Sequence, residues 1–506
     1  MIPVSYLSYF APEILLSVWA MGLLLAEAFG DLTPRAVASY ALVGIGLTAI
    51  VTLCFDGNST LFWAGMCKWD GAAKFFHVFF LAVVALVIWM GDEVQSPVSH
   101  GGGEFIVLPL FTTVGLMLLA SANDFILLFV SLELVTISLY ILVAYQRRSL
   151  VALEAGVKYL ILGGLSSAFL VMGVAYIFGL TGFTRFDLIW NYFHFAGHPM
   201  SPGVGLGLLF VLTGVGFKIA MVPFHSWAPD VYEGAPNSIT AFLSVGSKAG
   251  GLIILMRIVL GVFDIPSASA IWIPLLTICA IASLVLGNLA AIPQRNLKRM
   301  LGYSSIGHTG FILVAIIGAS ATLSGKINPF GSDVVTGQIA VTVYLVSYFL
   351  ATFTCFIVLA ILERRLPGLE IHHLAGLSQR SPLLAAAFGL ALVSLAGVPP
   401  LSGFIAKMLV VLVAWHSGLY TLLVFTIFAA VAAFYYYLGP IKAMYWSEPL
   451  DPTPIRLNRA TTCVLALLIF LIIGTGFAAQ SLAVLVNGAT IAQNETSASA
   501  VALVRR

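Results

Sequence analysis

The chain has 506 residues, of which 60% are hydrophobic and only 9% charged, with a formal net charge of +2 and a mean hydropathy of +1.05. A soluble domain carries roughly 25% charged residues, so lipid rather than water must be the main solvent of this fold. No basic stretch suits nucleic acid. None of the five cysteines (Cys54, Cys67, Cys279, Cys355, Cys463) stands in the CxxC pairs that structural zinc or iron–sulfur clusters need.

A spanning helix needs about 20 apolar residues. Fourteen stretches qualify, near 9–29, 37–55, 73–91, 106–121, 124–145, 157–180, 203–223, 238–262, 271–291, 301–319, 338–362, 382–415, 418–439 and 461–487. They predict an all-α polytopic membrane protein. The opening run MIPVSYLSYFAPEILL lacks the positive region of a signal peptide, so its apolar stretch is expected to stay as the first membrane helix. Connections are short, and a polar tail runs from about Asn487 to Arg506.

Positive residues gather in alternate loops. Arg35, the Arg147–Arg148 pair, Arg295 with Lys298 and Arg299, Arg364–Arg365 with Arg380, and Lys442 with Arg456 and Arg459 fall on one side. The other side holds Lys68, Arg185, Lys326 and Arg505–Arg506. The positive-inside rule then puts the richer loops in the cytoplasm and both termini outside.

Two spans are interrupted. The first break is PFHSWAPD from Pro223 to Asp230, after span seven; the second is GVPPLSG from Gly397 to Gly403, inside span twelve, with Pro399 and Pro400 at its centre. Proline removes a backbone donor and clashes with the preceding turn. Broken backbone at membrane depth is tolerated only against protein or a water-filled cavity. Breaks five spans apart suggest paired structural repeats, as in many transporters.

A charge at a helix centre costs about 2.5–3.5 kcal/mol on insertion scales, and four such groups occur in spans five, seven, eight and twelve. Glu133 sits in LLFVSLELVTISLY and is either a packing acid or the partner of a buried cation. Lys218 sits in GVGFKIAMVPFH, about one turn before Pro223, and either snorkels to the interface or keeps its charge among the carbonyls and water freed at the break. A Glu133–Lys218 pair would switch the lysine between proton-holding and proton-releasing states as their separation changes. Lys248 lies among glycines in SVGSKAGG and either faces the bundle interior or is a snorkelling or structurally paired lysine, and Lys407 follows the second break in GFIAKMLV. His308, in YSSIGHTGFI, reads as the only histidine well inside a span, and is either a relay or a hydrogen-bonding core residue. His225, at the first break, either serves a proton route or caps the turn. Glu154 and Lys158 are spaced i,i+4 and form either a local helix-end pair or part of a proton route. Arg257 is expected to snorkel to the interface, and Glu13 and Glu27 to be interfacial. No Walker-type phosphate loop occurs, and the histidines lack a metal or haem arrangement. Proton or cation movement is the leading class.

Three stretches carry a family resemblance. FKIAMVPFHSWAPDVYEGAPNSITAFLSVGSK (Phe217–Lys248), IPQRNLKRMLGYSSIGHTG (Ile292–Gly310) and LAGVPPLSGFIAKM (Leu395–Met408) are similar to the signatures of the antiporter-like membrane subunits of respiratory complex I. The likeness extends over nearly the whole chain. DVYEGAP (Asp230–Pro236), and lysine rather than glutamate at 407, resemble the subunit N branch. Asn237-Ser238 departs from the usual Thr-Pro after GAP.

The resemblance implies paired inverted five-helix repeats, with a three-helix segment at 1–105, repeats at 106–265 and 266–440, and a closing helix and tail at 441–506. It implies that Glu133 and Lys218 form a proton-input pair, Lys248 a central bridge and Lys407 the step toward the exit. His225 and His308 would belong to the polar axis, with Glu154 and Lys158 nearby. It further implies that the chain holds no cofactor, NADH, FMN, iron–sulfur clusters and quinone being bound by other subunits. The implied partners are membrane lipid and other membrane subunits, especially those of the M type and the K and J types. A cation/proton antiporter subunit is the rival of the same class. A structural membrane scaffold is the rival of another class, and predicts that Lys218 and Lys407 tolerate alanine.

Overall fold

Helices start where the sequence can serve a first turn of unpaired N–H groups. Thr33, Asp70, Ser149, Ser201, Asn296 and Asn458 each accept a first-turn backbone N–H. Pro34, Pro202, Pro266 and Pro382 occupy first helical positions, where the missing donor is harmless. A computed structural model of the protein describes residues 8–30, 32–55, 59–94, 102–195, 198–320, 337–366, 368–449 and 451–478. The polar tail from Asn487, Lys326 and Arg505–Arg506 lie outside the described residues.

The main elements run as follows: α1 Ala11–Phe29, α2 Pro34–Cys54, a hairpin of β1 Thr60–Phe62 and β2 Cys67–Trp69, α3 Gly71–Trp89, α4 Glu104–Ser121, α5 Phe125–Val143, α6 Leu150–Thr181 and the short α7 Phe186–His194. Then come α8 Pro202–Lys218, the short α9 Trp227–Gly234 and α10 Asn237–Val262. They are followed by α11 Pro266–Ala291, α12 Leu297–Gly318, α13 Gly337–Glu363, α14 Pro382–Ala396, α15 Ser402–His416, α16 Tyr420–Trp446 and α17 Arg459–Phe477.

Among the described residues, twelve helices are long and apolar enough to cross a membrane. The expected seventh span is the 17-residue α8, and the expected twelfth is divided into α14 and α15. Both expected breaks are present. Helix α8 ends at Lys218, and Ala220 then takes a left-handed φ of 55°. The second break runs through Gly397, with φ of 87°.

The loops at the N-terminal end of the bundle are stitched together. Asn123 N donates to Met66 O at 2.8 Å, and Phe186 N to Asn123 O at 2.9 Å. At the opposite end Leu297 N donates to Leu369 O at 2.9 Å and Ile455 N to Arg380 O at 3.0 Å. Burial sorts the helices into layers. The apolar windows of α10, α12 and α13 are 89%, 94% and 83% buried, against 28% for α6 and for α17. The first three form the centre. Peripheral helices turn apolar side chains outward, as Val18 and Ile161 do, which suits lipid or another apolar protein surface.

Helix α10 is not regular. It contains π-helical turns at Leu243–Ser247 and Arg257–Val262, and Lys248 follows the first directly. Such turns concentrate at functional sites.

Arg257 does not snorkel. It is 3% exposed, and its guanidinium donates to the two Asp70 oxygens at 2.9 and 3.1 Å and to Ala120 O at 2.8 Å. The hairpin brings Asp70 to the depth of the arginine, so a bidentate pair replaces a route to water. Glu13 is also buried rather than interfacial, whereas Glu27 is partly exposed and accepts from Gly103 N at 2.9 Å. His308 is not alone inside a span either, because His77 on α3 is fully buried.

Candidate functional site

Lys218, Lys248, His308 and Lys407 are each at most 6% exposed. No carboxylate pairs with any of these lysines among the described residues; hydroxyls, carbonyls and ring faces hold them. Lys218 Nζ donates to Thr136 Oγ1 at 3.2 Å and to Tyr159 OH at 3.4 Å. Glu133 lies one turn before Thr136 on the same face of α5, is partly buried, and accepts a hydrogen bond from Ser167 on α6. Glu133 and Lys218 are therefore not in direct contact: Thr136 and Tyr159 receive the ammonium, and Ser167 holds the carboxylate. The stem of Lys218 packs on Gly251, where a Cβ would lie 3.3 Å from Lys218 Cγ. Gly251 is three residues past Lys248, so both lysines meet one face of α10.

Lys248 Nζ donates to Ser305 O at 2.6 Å and also to Ser305 Oγ, and lies 5.5 Å from the Tyr348 ring centre. Thr309 Oγ1 contacts Ser305 O at 3.2 Å and donates to Ile219 O at 2.8 Å. It thereby ties the partner of Lys248 to the carbonyl beside Lys218, at the first break. His308 Nδ1 meets Tyr344 OH at 2.6 Å and Nε2 meets Tyr437 OH at 3.2 Å, with Tyr437 in turn bonded to Ser304.

Lys407 Nζ donates to Ala396 O at 2.8 Å, a carbonyl freed by the end of α14. It lies 4.9 Å from the Phe311 ring centre. A cavity of about 10 Å³ between His308 and Lys407 is lined by Tyr344, Tyr348, Ser347 and Ser394, which is close to the space one water needs. The order along the bundle is thus Lys218, Lys248, His308, Lys407, linked by serine, threonine and tyrosine hydroxyls. Such groups can pass a proton by hydrogen-bond exchange when water enters the gaps.

Three expected members, His225, Glu154 and Lys158, stand outside this row. His225 is only partly buried, and its Nδ1 contacts Pro223 O at 3.2 Å. Burial holds its imidazole below the usual range, against the opposing effect of that hydrogen bond. Lys158 bridges Glu154 Oε1 and Asp230 Oδ2, each at 2.7 Å, and is 41% exposed. Arg299 joins the same cluster through Asp230 at 2.6 Å and Glu233 at 3.0 Å. Burial opposes ionisation of Asp230, but hydrogen bonds from Lys158 and Arg299 outweigh it and hold the carboxyl below its ordinary range. This cluster fastens α9, just after the first break, to α6 and α12.

The sequence reading missed Asp230, Ser305, Thr309 and the buried tyrosines. The available signal was Tyr159, Tyr344, Tyr348 and Tyr437 deep in apolar runs, since a buried phenol hydroxyl usually finds a partner. No group of three or more metal-ligating residues occurs among the described residues.

Residues 122–433, which include every member of the lysine row, match the transmembrane family model described as NADH:quinone oxidoreductase/Mrp antiporter. The chain belongs to this family. The NADH-quinone oxidoreductase subunit N of Paramagnetospirillum magneticum is 37% identical over 463 residues, which cover 90% of this chain and 91% of that one. A chain of respiratory complex I from Thermus thermophilus, solved with bound aureothin, superposes with a TM-score of 0.78 at 29% identity, over 93% of this chain and 98% of that one. A chain of the Mrp complex from a Dietzia species gives a TM-score of 0.80 at 19% identity, over 95% and 96%; at that identity the likeness is one of fold. This antiporter-like fold is therefore common to respiratory and antiporter assemblies, and the Paramagnetospirillum subunit N shares more of the sequence than either superposed chain does.

Proposed function

We propose that this chain is the proton-translocating, N-type membrane subunit of an NADH:quinone oxidoreductase. The observation that carries the reading is the row Lys218–Lys248–His308–Lys407, buried without carboxylate partners among the described residues and linked by hydroxyls across two broken helices. A buried ammonium held only by neutral groups gives up its proton more readily than one in an ion pair. Charge arriving at one lysine then disfavours charge at the next by like-charge repulsion.

Glu133 is the candidate input group on α5. It shares a helix face with Thr136, the partner of Lys218, so a small rearrangement of either side chain, or one water, would join them. Lys407 is the candidate step toward release. NADH, FMN, iron–sulfur clusters and quinone belong in this reading to other subunits, whose redox energy reaches the chain as a change in electrostatics. Neighbours of the M type and of the K and J types would cover the exposed apolar faces, in a bacterial inner membrane, with both termini on the outer side. Residues 106–265 and 266–440 would be the paired repeats, each with its broken helix in the fourth span.

The test is proton pumping by the reconstituted complex with Lys218→Ala or Glu133→Ala, with assembly checked on native gels. Weakened pumping by an assembled complex is expected. Full pumping by a complex carrying both substitutions would sink the proposal and favour the scaffold reading.

A further inference from the structure

A second buried acid–base pair lies apart from the lysine row. Glu13, in the first turn of α1, is 3% exposed, and His77 on α3 is fully buried. Both sit at the N-terminal end of the bundle. His77 Nε2 lies 3.5 Å from Glu13 Oε1, 2.9 Å from Met117 O and 3.1 Å from Ser121 Oγ. A carbonyl can only accept, so Nε2 carries a hydrogen in this arrangement. Neither Glu13 oxygen has a hydrogen-bond partner among the described residues, and nor does His77 Nδ1. The Trp69 ring stands edge-on to the imidazole at 5.0 Å between centres.

This chemistry restricts the proton count. A carboxylate with no donor, away from water, is strongly disfavoured. In this closed arrangement Glu13 is ionised while His77 is an imidazolium, and otherwise the carboxyl keeps the proton itself; the pair gives that proton up only when water reaches the carboxylate. The two states interconvert by one transfer. The Nε2–H bond breaks, an Oε1–H bond forms, and the imidazole is left with its hydrogen on Nδ1, so that Nε2 becomes an acceptor and gives up its hydrogen bond to Met117 O. Nothing else is consumed or released. The gap of 3.5 Å needs to close only to about 3.2 Å, or to admit one water, for that transfer.

Arg257 from α10 and Asp70 from the turn before α3 bear on His77 with opposite charges and are bound to each other as a bidentate pair. Cys67 on β2 is within electrostatic reach of Glu13, and Lys68 beside it is buried near Asp70 and Arg257. Asp124, at the start of α5, is occupied with Ile126 N at 2.7 Å and Thr184 Oγ1 at 2.7 Å. On α3 itself, Lys74 is turned to Phe55 O at 2.5 Å and Leu53 O at 3.3 Å. On α1, Ser17 is taken up by the backbone oxygen of Glu13.

The end of α4 is shared with the transport helix. Met117 and Ser121 hold His77, while Ala120 accepts from Arg257. Arg257 is on the same helix as Lys248, nine residues further along.

We propose that Glu13 and His77 form a proton-binding site at the N-terminal end of the bundle, holding one shared proton and acting as a release station on that side of the membrane. The release role rests on the proton-moving function proposed above; the shared proton rests on the geometry of the pair alone.

Infrared difference spectra of the purified complex, recorded over a pH series, test the site directly, with Glu13→Gln as the isosteric reference. A carboxylic-acid C=O band that varies with pH and is lost in Glu13→Gln is expected. In His77→Phe its midpoint should move upward by about 1–3 pH units, because the opposite charge that favoured the carboxylate is gone. Absence of any Glu13-dependent band across the series, or an unchanged midpoint in His77→Phe, overturns the site.

The double variant Glu13→Leu/His77→Phe tests the role. Replacing both partners by apolar groups of similar shape is nearly neutral for a merely structural pair. The release role predicts an assembled complex that pumps fewer protons per electron than the parent, and parental pumping overturns it. A double variant that fails to assemble overturns the release role as well, since it marks the pair as structural. The spectra decide the site in every case. Loss of pumping in Lys218→Ala is independent of these outcomes, so the pair can fail while the lysine row stands.

Discussion

Lys407→Met should separate transport from stability. The ammonium is 6% exposed and donates one hydrogen bond, to the Ala396 carbonyl at 2.8 Å. Methionine nearly matches its length and volume but carries neither charge nor donor. Leaving the Ala396 carbonyl unsatisfied costs about 1–3 kcal/mol. Removing an ammonium from membrane depth returns about 2.5–3.5 kcal/mol. The balance runs from about 2.5 kcal/mol of stabilisation to about 0.5 kcal/mol of loss. The variant complex should therefore assemble and melt close to the parent while losing most NADH-driven proton uptake in sealed vesicles. Acidification followed with a pH-sensitive dye, normalised to NADH oxidised, is the assay; native gels and a thermal melt are the controls. Parental pumping, or a melt lowered as far as the loss of a structural ion pair would lower it, refutes the reasoning.

Gly397→Ala should act on the same lysine from the other side. Its φ of 87° is left-handed, and a Cβ there would stand 2.7 Å from Lys407 Cδ; a loss of about 1–2 kcal/mol and weakened pumping are expected, read by melting and by the vesicle assay. Asp230→Asn should remove a pH-dependent tie. Because the native carboxyl is held below its ordinary range by Lys158 and Arg299, the tie is fully present above the unfolded-state pKa of about 4 and fades as pH falls through the lower native value. Melting curves across acid pH should flatten in the variant, by no more than about 1 kcal/mol per pair at this exposure.

What was legible in the sequence was whatever has a local cause. Proline and glycine runs marked both helix breaks, because they act on their own backbone. Charged residues in apolar runs marked the row, because insertion cost depends on depth alone. What escaped depends on distant partners. Arg257 finds Asp70 across 187 positions, and no neighbouring residue announces that contact. Glu13 and His77 likewise meet only after the first three helices have packed. The separation of Glu133 from Lys218 turns on Thr136, Tyr159 and Ser167, whose directions follow from helix rotation and not from spacing. The π turns of α10 left no trace either, since their residues read as ordinary apolar helix.

Those turns make the direction of Lys248 a matter of counting residues. A π turn closes its hydrogen bonds one residue later than an α turn, so Leu243–Ser247 inserts a surplus residue just before the lysine. Each residue of an α-helix turns the chain by about 100°. Excising one residue there would leave a smoother and entirely helical span, yet would swing Lys248 by about that angle relative to Asn237. The oxygens of Ser305 would then lie out of its reach. A shortened α10 could be the better helix and the dead conductor.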